Sequence, residues 1–165
     1  MALLFLMRHA KAVKAKPGMA DFDRPLEERG HRDAAAVGER LVAEFGAPAA
    51  VLCSAALRTR ETLAGLPFAA DEHTRFSRTL FDADGAGYLR EIKAQDAADR
   101  LILIGHNPSV AEAAFELAGR GDDDAMSRLA SGFPTSGIAV IEIGPELAPR
   151  SGTLRAFITP ASLRP

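Results

Sequence analysis

The chain has 165 residues, 47% hydrophobic and 25% charged, a balance that fits one globular domain over 1–165 and excludes a disordered chain. Twenty Lys and Arg against 22 Asp and Glu leave a formal charge of -2, and no basic tract interleaves with aromatics, so no nucleic-acid partner is expected. Cys53 is the single cysteine, which rules out an internal disulfide framework and any multi-cysteine zinc site. Apolar runs fall far short of the roughly 20 residues of a membrane helix. The opening MALLFLMRHA places its charge after the apolar run and has no cleavage pattern. A cytoplasmic protein with no membrane partner is the expectation.

Apolar runs of strand length alternate with segments of helical period, the pattern of an α/β fold. Leu3–Met7 is the first strand. A helix follows from about Glu27 to Phe45, with Ala34, Val37, Leu41 and Phe45 on one stripe. Ala50–Cys53 is the second strand and Ala55–Ala64 a helix. Arg75–Ser77 carries only a faint signal for a short edge strand. Ala86–Gln95 reads as a helix, Leu101–Gly105 as a strand, and Ser109–Leu117 as a helix opened by Pro108. Gly119–Asp124 and Pro145–Gly152 read as surface loops. Gly137–Ile143 and Thr153–Ile158 close the chain as strands. In the first of these, Ile138, Val140 and Glu142 face one way and Ala139, Ile141 and Ile143 the other.

Three of the apolar runs end on chemistry. The first delivers Arg8 and His9, the second Ser54 and then Arg58 one helical turn on, the third His106 and Asn107. If these strands are parallel, their carboxyl ends share one sheet edge, where α/β folds bind ligands. Two arginines and two histidines would then surround a small dianion, with helix starts behind them. A neutral imidazole is a nucleophile toward phosphorus. Nearby arginines disfavour its protonated form, and a backbone carbonyl on one ring nitrogen would leave the other facing the phosphorus. With arginines neutralising charge, the chemistry requires no metal and no cofactor.

Taken singly, each residue has a plainer use. Arg58 could be a solvated helix residue paired with Glu61 or Glu112. His31 and His73 read as surface residues, Cys53 as a core residue, and Asp122–Asp124 as a solvated acidic turn. The four histidines have no short-spaced ligand pair for zinc.

The motifs resemble those of the histidine phosphatase superfamily, also called phosphoglycerate mutase-like. LMRHAKA resembles its strand-plus-Arg-His signature and DFDRPLEERGHRDA its Arg-Pro-Leu…Arg-Gly…Ala segment. CSAALRTRET resembles its Ser-x-x-x-Arg-x-x-x-Thr element, and LIGHNPSV the element of its second histidine. The resemblance implies a three-layer α/β/α sandwich on a mostly parallel sheet. It implies His9 as the phosphorylated nucleophile, Arg8 and Arg58 as the phosphate clamp, and His106, with Asn107 beside it, as phosphate-binding. The shortness of the chain resembles the SixA-type phosphohistidine phosphatase branch, without the cap insertions of the sugar-phosphate enzymes.

The sequence departs from the larger members twice. Ala10 stands where Gly is usual, and only Asp82 and Asp84 offer themselves as a general acid. An alkoxide needs a proton to leave, whereas imidazole is a far weaker base, so a missing acid favours phosphohistidine. The expected function is hydrolysis of phosphohistidine on a protein, such as a histidine phosphotransfer domain of a signalling relay, through phospho-His9. The alternatives are a phosphatase of small phosphomonoesters or phosphoserine/threonine, and a non-catalytic phospho-binding module.

Overall fold

A computed structural model describes residues 2–68 and 70–165. In chain order the elements are β1 (Ala2–Arg8), α1 (Glu28–Phe45), β2 (Ala50–Ser54), α2 (Leu57–Ala64), β3 (Thr74–Ser77), α3 (Thr79–Asp82) and α4 (Gly85–Lys93). Then come β4 (Arg100–Gly105), α5 (Ser109–Leu117), β5 (Ala118–Gly121), α6 (Asp123–Ser131), β6 (Ile138–Ile143) and β7 (Gly152–Ile158). Short 3-10 turns lie at Asp21–Asp23 and Ala161–Leu163.

The strands form one seven-stranded sheet in the order β3-β2-β4-β1-β6-β7-β5. β1, β2, β3 and β4 run parallel, β6 is antiparallel to both β1 and β7, and β5 is parallel to β7. The expected parallel arrangement of the first three apolar runs is therefore present. β3 sits at the sheet edge, as its faint signal suggested.

Period-two alternation sends the two faces of each central strand into separate cores. Leu4 and Leu6 pack with Tyr88, Val110, Leu117 and Leu129, whereas Phe5 and Met7 pack with Val37, Leu41 and Leu63. Ile138 and Val140 join the second group, and Ala139 and Ile141 the first. The result is the three-layer α/β/α sandwich, with α1 and α2 on one face and α4, α5 and α6 on the other. A fully buried Val or Leu contributes about 1.5–3 kcal/mol of transfer free energy, so these contacts hold the sheet edge in place. No helix among the described residues is long and apolar enough to cross a membrane.

One expected loop is not a loop. Residues 119–124 contribute to β5 and to the start of α6, whose N-terminus is capped by the Asp122 carboxylate accepting from Ala125 N–H at 3.0 Å. The acidic turn is thus a helix cap rather than a merely solvated run. The helices otherwise fall within about two residues of their expected ends.

Candidate active site

Register brings the chemistry together. Arg8 pairs with Gly105, and Cys53 with Ile104, so β1, β2 and β4 end side by side. His9 N–H donates to the Gly105 carbonyl at 3.0 Å, which places His9 next to the strand end that carries His106. The two imidazole centroids are 5.3 Å apart. Arg58 arrives from the first turn of α2. His9, Arg58 and His106 are only 7%, 5% and 8% exposed.

Local packing fixes this arrangement. α1 crosses so close to the loop after β1 that a Cβ at Gly30 would lie 2.2 Å from the Lys11 carbonyl oxygen. That carbonyl accepts from Glu27 N–H at 2.8 Å. Ala10 is buried with Ala12, Leu26 and Ala34, and its N–H donates to Thr62 Oγ1 at 2.9 Å. It is not among the residues with positive φ, so the loop accepts the Cβ at a position where glycine is usual in the superfamily its motifs resemble. On the other side Tyr88, fully buried, accepts from His106 N–H at 2.9 Å and donates to the Leu80 carbonyl at 3.0 Å. Burial raises the Tyr88 phenol to about 12, so it remains a donor.

The protonation of His9 follows from its partners. Nδ1 lies 2.7 Å from the Ala10 carbonyl, which can only accept, so Nδ1 carries the proton and Nε2 the lone pair. Burial first, and then the charges of Arg58, Arg8 and Arg24, bring the His9 pKa down to about 4; the bond to Ala10 works the other way. Arg58 Nε donates to His9 Nε2 at 3.2 Å. His106 is pushed down to about 3, again by burial first and then by His9 and Arg58. Its Nε2 is 2.8 Å from Ser54 Oγ. Its buried Nδ1, together with buried Arg8 Nε, has no protein partner among the described residues. Buried polar atoms are rarely left so, and both of these belong to one site.

A cavity of about 350 Å³ opens over these groups and is lined by Arg8, His9, Arg58, His106 and Asn107. Asn107 Nδ2 and Arg8 Nη1 share the Phe133 carbonyl, at 3.1 and 2.9 Å. Larger grooves of about 610 and 730 Å³ elsewhere bring no histidine to their walls. His31 and His73 are exposed, as expected, and Cys53 is buried, its thiol pushed up to about 12 by burial.

Two cleft residues have no role in the sequence reading. Arg24 lines the cavity, with Nη1 on the Val13 carbonyl at 2.8 Å and Nε on Asp21 Oδ1 at 2.7 Å. Asp21 also receives Arg58, through its carbonyl at 2.6 Å and Oδ2 at 3.2 Å. Asp21, rather than Glu61 or Glu112, is therefore the partner of Arg58. Glu61 accepts from Leu26 N–H and Glu112 from Gly85 N–H. Partial burial would raise the Asp21 carboxyl, but Arg24 and Arg58 outweigh it and hold the group below the ordinary carboxylate range. The Arg24-Pro25-Leu26 run was the available signal for this strand-to-helix segment.

The two acid candidates, Asp82 and Asp84, sit at helix ends. Both are exposed and neither lines the cavity. Asp84 caps α4, its Oδ1 accepting from Gly87 N–H at 2.8 Å, and Asp82 ends α3.

Comparison with known proteins agrees with this geometry. Residues 4–84 match the model of the histidine phosphatase superfamily (branch 1). The chain is 40% identical over 140 residues to the uncharacterized protein Rv1276c of Mycobacterium tuberculosis, covering 83% of this chain and 87% of that one. The structure is similar to that of SixA from Agrobacterium tumefaciens, provisionally assigned as a phosphohistidine phosphatase. That match has a TM-score of 0.82 and 31% identity, over 96% of this chain and 97% of the other. It is equally similar to the SixA of Nakamurella multipartitia, with the same provisional assignment. There the TM-score is 0.84 and the identity 30%, over 96% of each chain. Near-complete coverage in both directions leaves no room for a large cap insertion. With its histidine pair and arginines lining one cavity and this end-to-end likeness, the chain belongs to the SixA-type branch of the histidine phosphatase superfamily.

Proposed function

We propose that the protein hydrolyses phosphohistidine on a partner protein, such as a histidine phosphotransfer domain of a signalling relay, through a covalent phospho-His9 intermediate. His9 Nε2 attacks phosphorus as Arg58 Nε turns from the ring onto a phosphoryl oxygen. Arg8, Arg24 and His106 Nδ1–H hold the remaining oxygens, and Asn107 steadies the shared Phe133 carbonyl. The substrate's P–N bond breaks with its electron pair staying on the ring nitrogen, and the proton already on the other ring nitrogen of the bound phosphohistidine makes the departing group neutral imidazole rather than its anion. Water then attacks phosphorus, releasing inorganic phosphate and restoring the Nε2 lone pair. Guanidinium groups supply the positive charge throughout, so no metal is required.

The observation that carries the reading is the state of the one carboxyl among the described cleft residues. Asp21 is held ionised by two arginines and so has no proton to give at neutral pH. Alkoxide leaving groups need such a proton, whereas imidazole departs without strong acid assistance. The SixA assignment of the structural relatives points the same way.

Purified protein with chelator present is assayed on a phosphohistidine peptide, phosphoserine and p-nitrophenyl phosphate. Preferential turnover of the phosphohistidine peptide is expected. Comparable or faster turnover of phosphoserine would turn the reading toward an ester phosphatase. His9→Ala should form no acid-labile phosphoenzyme in a rapid quench; label that still accumulates would mean another nucleophile.

A further inference from the structure

Beside the cavity, next to its lining residues Asp21, Arg58 and His106, lies an aromatic pair that the phosphoryl chemistry does not use. Phe22, in the 3-10 turn beside Asp21, meets Phe81 of α3 edge to face, with centroids 5.1 Å apart and planes at 86°. Phe81 meets the His106 ring in the same manner at 5.6 Å, and the Arg58 guanidinium lies 5.7 Å from its centroid. The Arg78 guanidinium lies over Phe22, 4.3 Å from the ring centre. Both phenyl rings are half-buried, whereas Arg78 is exposed.

The backbones beneath the rings are anchored by the residues that build the site. Leu80, beside Phe81, is fully buried and its carbonyl accepts from Tyr88, whose hydroxyl also holds His106 N–H. Asp21, beside Phe22, holds Arg58 through its carbonyl and carboxylate. The pair is thus fixed relative to the arginines and His106 rather than carried on an independent loop. Phenyl rings offer nothing to a phosphoryl dianion, which the guanidinium groups hold. They suit the group to which the phosphorus is attached, where a flat ring can stack or meet an edge.

We infer that Phe22 and Phe81 form a platform for the planar leaving group, recognising a phosphorylated imidazole by its ring. The inference rests on the phosphohistidine reading and adds the residues that recognise the ring. A single aromatic contact of this kind corresponds to roughly a two- to twelvefold effect on kcat/KM. A pair kept only to shield His106 would affect every substrate alike.

Phosphoramidate separates these cases, because its hydrolysis breaks a P–N bond with no ring on the nitrogen. The ratio of kcat/KM for a phosphohistidine peptide to that for phosphoramidate is measured in wild type, Phe22→Leu and Phe81→Leu. Phe22 makes no ring contact with His106 or Arg58, so its variant is the cleaner of the two. The platform predicts that the ratio falls about two- to twelvefold in each variant. An unchanged ratio, including equal losses on both substrates, would overturn the platform and leave the phosphohistidine reading standing. A wild-type enzyme that turns over p-nitrophenyl phosphate but neither P–N substrate would overturn both.

Discussion

Arg58 offers the sharpest test of how the site works, because one guanidinium serves three partners. Its Nε caps the lone pair of His9 Nε2 at 3.2 Å, and its two terminal nitrogens reach the Asp21 carbonyl and carboxylate at 2.6 and 3.2 Å. In the proposed mechanism the Nε–H passes from His9 to a phosphoryl oxygen on substrate binding, and its bond strengthens as charge spreads over the equatorial oxygens. A hydrogen bond to a charged group contributes about 1.5–3 kcal/mol, and a second arm of the fork adds to it. Arg58→Ala should therefore lose about 2–4 kcal/mol of transition-state stabilisation, roughly 30- to 900-fold in kcat/KM. Arg58→Lys keeps the charge but not the fork and should fall between the two. Removing the cation also relieves one cause of the low His9 pKa, so the ring should titrate above its present value of about 4, while burial keeps it below 6.5. Single-turnover rates with a phosphohistidine peptide and the NMR titration of the His9 ring report the two effects separately. Less than a threefold loss in Arg58→Ala, with His9 still titrating near 4, would show that Arg58 neither clamps the phosphoryl group nor tunes the nucleophile.

Two further outcomes follow from the same environment. The folded-state pKa values of His9 and His106, about 4 and about 3, lie below the unfolded value of 6.5, so the unfolded chain binds more protons as pH falls through that window. Stability should be lost from about pH 6.5 downward, by on the order of 3 kcal/mol from His9 alone once pH is below 4. Urea midpoints of wild type and His9→Gln across pH 7 to 4 should converge as pH falls; parallel curves would contradict the buried neutral imidazole. Tyr88→Phe leaves His106 N–H and the Leu80 carbonyl without a partner in a dry core, which should cost about 1–3 kcal/mol of stability and slow turnover. A urea-measured loss below about 0.5 kcal/mol would mean that water replaces the hydroxyl.

The central sheet was readable from the sequence because its strands are buried on both faces, and near-continuous apolar runs such as Leu101–Gly105 have few other uses. β5 was not, for a physical reason. Its Ala-Gly-Arg-Gly carries no alternation, and its glycines are there for clearance. A Cβ at Gly119 would lie 1.7 Å from the Arg150 carbonyl oxygen, and one at Gly121 2.6 Å from that of Leu154. The sequence displays this as turn chemistry. α6 was masked by the same stretch, because only Ala125 and Leu129 of its residues are buried, too few to mark a stripe. At the site, the residues leaving strand ends could be named because parallel register determines where they point. Asp21 and Arg24 come from a segment outside the sheet, held by Val13 and Arg58, and no periodicity announces such contacts. Asp84 also has a local use that its acidic side chain does not announce, accepting from Gly87 N–H to cap α4, and Asp82 is the last residue of α3.

The carboxylate within the arginine cluster bears on turnover as well as on leaving-group choice. Arg8, Arg24 and Arg58 bring three positive charges to the cleft, with Lys11 at its wall, and Asp21 offsets one of them. Both histidines stay neutral near pH 7, so they add hydrogen-bond donors and a lone pair without adding charge. An uncompensated cluster would bind substrate, phosphoenzyme and inorganic phosphate tightly alike, and uniform binding of that kind does not raise kcat. Asp21 engages both Arg24 and Arg58, so in the proposed mechanism an incoming dianion would displace part of an existing ion pair, weakening ground-state binding and helping the product to leave. The same pairing favours the ionised form of Asp21, the one lining carboxyl among the described residues, which in the proposed mechanism leaves it without a proton to donate. A site built this way turns over best when the departing group is a weak base, and the imidazole of phosphohistidine meets that condition where an alkoxide does not.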